Sequence, residues 1–101
     1  MLLTQEQIKQ IVQDYFKDKP VKTAFLFGSY AKGDAKETSD VDIILELDYS
    51  KKIGLEFVRW MYDLEQQFGR KADLVPEDSM YESIKADADK SKILLLRKQA
   101  A

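Results

Sequence analysis

Two short apolar runs, Val21 to Phe27 and Val41 to Leu47, are joined by a polar segment too short for the crossover that parallel neighbours need. The pair is therefore expected to lie antiparallel in a mixed sheet. The joining segment is itself unusual. Gly28-Ser29 follows the first run directly, and ten residues later Asp40-Val41-Asp42 opens the second. Strand side chains alternate, so Asp40 and Asp42 are expected on one side of the strand, close enough to share a cation. A further acid, Asp73, sits in another apolar run, Ala72-Asp73-Leu74-Val75.

The remaining elements follow from periodicity and punctuation. Thr4 with Gln7 reads as a capping box, and Ile8, Ile11, Val12, Tyr15 and Phe16 keep helical spacing until Pro20 forbids continuation. Leu55, Phe57, Val58, Trp60, Met61, Leu64 and Phe68 form a second helical stripe, closed by Gly69. How much of Trp60 is exposed is left open by the spacing. Lys71 to Val75 reads as a third strand stopped by Pro76, and Ser79 with Glu82 as a capping box opening a last helix to about Ala88. Ile93 to Leu96 suits a short edge strand, although four apolar residues in a row do not separate strand from helix. The expected fold class is α/β (α+β), a small mixed β-sheet with helices packed on it. The 101 residues are read as a single domain over 1–101, long enough to bury roughly two-thirds of its unfolded surface.

Composition excludes several chemistries. With no cysteine and no histidine, thiolate sites, imidazole shuttles and His-ligated zinc are impossible. A metal would have to be held by oxygen, which suits magnesium or manganese. The net charge of −2 with scattered cations gives no basic footprint, so nucleic acid is not expected as the main partner. No apolar run is long enough for a membrane span and no signal-peptide core is present, so the cytoplasm is the expected compartment.

Phosphoryl chemistry has use for what remains. A charge-dispersed transition state is stabilised by divalent cations held on rigid carboxylates. Gly28 lets backbone approach a phosphate, Ser29 offers an amide and a hydroxyl, and Lys32 adds a positive charge one turn on. Each feature alone has a plainer meaning: a Gly-Ser turn, solvated aspartates, Ser39 as a turn hydroxyl, Lys32 as a surface lysine, Glu46 as a surface acid. Jointly, Gly-Ser-x10-Asp-x-Asp should arise by chance in roughly one chain of this length in a thousand.

Gly28-Ser29-Tyr30-Ala31-Lys32-Gly33 followed by Thr38-Ser39-Asp40-Val41-Asp42-Ile43-Ile44 resembles the signature of the DNA polymerase beta-like nucleotidyltransferase superfamily. The small size resembles its minimal nucleotidyltransferases, the MNT family. That resemblance implies the polymerase beta-like nucleotidyltransferase fold, with Asp40 and Asp42 holding two Mg2+ ions and Asp73 as the third carboxylate, a metal ligand that helps the acceptor hydroxyl lose its proton. Gly28 and Ser29 would cradle the phosphates of a nucleoside triphosphate, ATP, with Ser39 assisting. Arginine is common in the family where Lys32 stands, so the charge is kept and the bidentate fork lost. Family members are typically paired with a HEPN-domain toxin protein, and some transfer AMP from ATP to a toxin tyrosine. Larger relatives carry a second helical domain where this sequence ends, so a partner is expected to supply the missing wall of the cleft or to be the substrate itself. Two other readings stay open: an antitoxin that neutralises its partner by binding alone, and a nucleotidyltransferase acting on a small molecule.

Overall fold

The computed structural model describes residues 2–98, apart from the side chains at positions 83, 84 and 87. The ends of the 1–101 domain expected from the sequence, residues 1 and 99–101, lie outside the described residues. Chain order is α1 (Gln5–Phe16), β1 (Val21–Phe27), α2 (Ser29–Lys32), β2 (Val41–Leu47), α3 (Glu56–Phe68), β3 (Ala72–Pro76), a 3-10 turn (Glu77–Ser79), α4 (Glu82–Ser91) and β4 (Ile93–Arg97). The strands form one sheet in the order β3-β2-β1-β4. β1 runs antiparallel to β2 and to β4, while β2 and β3 are parallel, joined by α3. The mixed sheet is as expected, because the β1–β2 link holds only the single turn of α2.

The helices start and stop for local reasons. At the head of α1 the Thr4 hydroxyl accepts from the Gln7 amide at 3.0 Å and the Gln7 side chain accepts from the Thr4 amide at 2.8 Å, satisfying two otherwise orphaned donors. α3 ends on Gly69 at φ 70°, whose amide donates to the Glu65 carbonyl. The second expected capping box is corrected. Ser79 belongs to the 3-10 turn, and α4 begins after Tyr81 with no side-chain cap. Pro76 ends β3 as its last residue, on an edge strand, where a missing N–H costs little.

Apolar side chains from α1 and α3 pack on one sheet face. Ile8, Val12 and Phe16 meet Trp60, Leu64 and Phe68 over Ala24, Leu26, Ile43 and Leu45. Trp60 is 1% exposed, with Phe16 edge-on to it at 5.6 Å between ring centroids. The stripe expected on α3 is narrower than its spacing suggested: Val58 and Leu55 are exposed. At about 100° per residue, Val58 lies roughly 160° around the helix from Trp60, so both cannot face the sheet. Trp60→Ala is expected to cost about 3–5 kcal/mol through lost burial and the cavity left behind. Thermal denaturation checks this; a loss below about 1 kcal/mol would mean the ring does not anchor α1 to α3.

Candidate active site

The carboxylates lie on the sheet face turned away from α1 and α3. Along β2 the burial pattern sends Val41, Ile43, Leu45 and Leu47 into the core, which leaves Asp42, Ile44 and Glu46 on the other side. β3 pairs in register with β2, Asp42 opposite Asp73, so these two acids from distant sequence positions become neighbours on one face. Asp40 stands just ahead of β2 and is exposed, as is Asp73, whereas Asp42 is half-buried. Desolvation, then the charge of Asp73, then that of Asp40, push the Asp42 carboxyl up to about 6. The three acids are gathered without forming a closed cage: among the described residues no three acidic side chains stand in a ready metal-holding group. Mutual repulsion of like charges opposes tighter convergence. Their donor chemistry, all carboxylate oxygen with no histidine or cysteine in the chain, fits a hard divalent cation.

Gly28 caps β1 against this cluster. Its φ of 72° with ψ of −152° belongs to a region open essentially to glycine alone. A Cβ there would collide with Asp42 Oδ2 and lie 3.2 Å from its Cγ. The glycine is thus required twice, for the backbone turn and for the room it leaves beside Asp42. Its carbonyl accepts from the Ala31 and Lys32 amides, both at 3.1 Å, folding Ser29 into the first position of α2.

The other expected residues are more peripheral. Lys32 is exposed. The Ser39 hydroxyl accepts from the Lys36 amide at 2.8 Å and the Ser39 amide donates to the Lys36 carbonyl at 2.9 Å, so the residue shapes the loop before Asp40. Glu46 shares a strand face with Asp42 but lies towards the opposite end, where it accepts from the Thr23 hydroxyl.

Sequence reasoning missed what holds α2 in place. A single turn does not persist by itself. Tyr30 is buried, its hydroxyl bonded to the Arg70 guanidinium, while its carbonyl accepts from Gln5 Nε2 at 3.0 Å. α1 and the α3–β3 link therefore clamp the turn that carries Ser29. At the same link the Ala72 amide donates to Glu65 at 3.1 Å and the Val41 amide to the Lys71 carbonyl at 2.9 Å, setting the register that opposes Asp42 and Asp73. An aromatic side chain inside an isolated turn was a readable hint for Tyr30; nothing local pointed to Arg70.

A glycine turn facing a cross-strand pair of carboxylates, on a mixed sheet backed by two helices, defines a nucleotidyl-transfer scaffold. Residues 5–98 match the nucleotidyltransferase domain family, and the chain belongs to it. More narrowly, the chain sits with the minimal nucleotidyltransferases. A Methanocaldococcus jannaschii protein provisionally named a protein adenylyltransferase is 37% identical over 79 residues, covering 78% of this chain and 84% of that one. The protein adenylyltransferase MntA of Thermococcus cleftensis is 34% identical over 87 residues, covering 82% and 87%. The fold is shared with the structure of a tri-AMPylated Shewanella oneidensis HEPN toxin in complex with an MNT antitoxin, at TM-score 0.70 and 16% identity, over 94% of this chain and 74% of that one.

Proposed function

We propose that this nucleotidyltransferase moves an AMP unit from ATP to a tyrosine hydroxyl of a HEPN-type toxin, and so acts as its antitoxin. The observation that carries the reading is the in-register pair Asp42 and Asp73 beside the glycine turn at Gly28. The chain's similarity to named protein adenylyltransferases supports the choice of nucleotide and of a protein acceptor.

In this reading Asp40, Asp42 and Asp73 hold magnesium, which when bound neutralises charge on the phosphates. Gly28 and Ser29 approach the phosphate chain through backbone, with Ser39 and Lys32 at the rim. The acceptor oxygen attacks the α-phosphorus and a new phosphorus–oxygen bond forms. The bond from that phosphorus to the bridging oxygen breaks, and pyrophosphate departs with the electron pair. Asp73, the more exposed of the paired acids, takes the hydroxyl proton. The cytoplasm suits these reagents, and no described helix is long and apolar enough to cross a membrane.

The test is intact-mass spectrometry of a cognate HEPN-type protein after incubation with this chain, ATP and magnesium. Gain of whole AMP units, mapped to a tyrosine, is the expected result. A stable complex with no mass gain would instead make the chain an antitoxin by binding, and a gain on small hydroxylated molecules alone would make it a small-molecule transferase.

A further inference from the structure

A groove of about 640 Å³ opens at the end of the sheet opposite the carboxylates. Phe27 pairs with Asp42 at one end of the β1–β2 ladder and Val21 with Leu47 at the other. Six residue steps of about 3.3 Å separate the ends by roughly 20 Å, so nothing small spans both. The volume falls within the range of small-molecule sites.

The walls are unevenly charged. Five cations and three acids line the groove, a local excess of two positive charges in a chain of net charge −2. The acids already have protein partners. Glu46 accepts from the Thr23 hydroxyl, Asp48 from the Ser50 hydroxyl at 2.6 Å and amide at 3.1 Å, and Asp18 pairs with Lys19 at 3.4 Å. Lys98 donates to the Lys19 carbonyl at 2.5 Å, and burial holds its amine below the ordinary lysine value. Among the described residues Lys22, Lys51 and Arg97 form no ion pair; Lys22 and Lys51 reach Asp48 only as through-space charges.

Backbone construction aims these cations. The β1–β2 register shifts between Val21 and Thr23, which takes Lys22 out of the ladder, as bulges do when they redirect a side chain. Thr23, a buried polar residue, pairs across β1 and β4 with Arg97, and the Lys98 amide donates to the Lys22 carbonyl at 3.0 Å. Lys22 and Arg97 therefore project from neighbouring hydrogen-bonded strands, with Lys51 added from the turn after β2.

We propose that this groove is a second binding site, for a short polyphosphate chain gripped by Lys22, Lys51 and Arg97. Phosphates of that kind come from a free polyphosphate or nucleotide, or from an RNA backbone. The net charge of −2 over the chain disfavours an extended polyanion that reaches beyond the groove, which favours the short free form. The site stands independently of the proposed transfer reaction.

The experiment is amide NMR of the ¹⁵N-labelled chain titrated with tripolyphosphate, without divalent ions, beside a Lys22→Gln/Arg97→Gln double variant and a Lys36→Gln control. Saturable shifts at Lys22, Thr23, Asp48 and Arg97 are expected, with affinity falling at least tenfold in the double variant and unchanged in the control. A short RNA of matched charge should bind at least tenfold more weakly than tripolyphosphate. Shifts confined to Gly28–Lys32, a double variant that titrates like the parent, or RNA binding the more tightly would each overturn the assignment.

Discussion

Asp42→Asn is expected to make the cation-free protein more stable at neutral pH while reducing nucleotidyl transfer about a thousandfold. The two effects share one cause. Asp42 is held half-buried beside Asp73 and Asp40, and its carboxyl is pushed up to about 6 from an ordinary 3.8. Between those values the folded chain binds a proton that the unfolded chain has lost. Stability therefore falls as pH rises through that window and stays low above it. An asparagine carries no charge to desolvate, so its advantage should be absent at pH 3.5 and complete by pH 7.5. A shift of this size corresponds to about 3 kcal/mol for a fully shielded group. Solvent screening at a half-exposed carboxylate reduces that to about 1 kcal/mol, a rise of roughly 4–8 °C in Tm for a chain of this size.

In the proposed reading magnesium is held by the ionised Asp42, so it should reverse the ranking by raising Tm of the parent protein alone. Thermal denaturation at the two pH values, with and without magnesium, reads all of this. An equal gain at pH 3.5 and 7.5 would show that charge is not the cause, and undiminished transfer by Asp42→Asn would remove the carboxylate from the reaction.

Gly28→Ala is expected to lower transfer about a hundredfold and stability by about 1–3 kcal/mol. Its backbone conformation is strained for any side chain, and the added methyl would meet the Asp42 carboxylate. Displacement of a reacting group by about 1 Å is enough for the rate loss. Gly54→Ala separates the two contributions. It too sits at positive φ, 48°, but nothing lies within 4 Å of where its methyl would stand, so it should lose stability and keep its rate. Equal rates for the two variants would mean that the Gly28–Asp42 approach does not position the carboxylate.

Much of the scaffold was legible in local sequence. Pro20 and Gly69 set helix ends through a fixed φ and a positive φ respectively, and the Thr4–Gln7 box forms because both partners lie within one turn. The strands were readable because apolar runs of that length end at glycine, proline or polar loops. Errors arose where two local patterns competed. Ser79 and Glu82 have capping spacing, but the chain takes a 3-10 turn there and starts α4 two residues later than a Ser79 cap would. Leu55 and Val58 are apolar at helical spacing, yet Trp60, Leu64 and Phe68 take the face that meets the sheet.

Residue types and short spacings were enough to define the chemistry available: oxygen donors only, a glycine where backbone must turn sharply, and two acids alternating at the start of a strand. None of these needs a partner from elsewhere in the chain. Three-dimensional packing was required to stand Asp73 opposite Asp42, to fix Tyr30 through Arg70 beside the glycine turn, and to bring Lys22 and Arg97 into one groove at the far end. Each of those juxtapositions depends on strand register and on helix docking across long sequence separations, which no local pattern encodes.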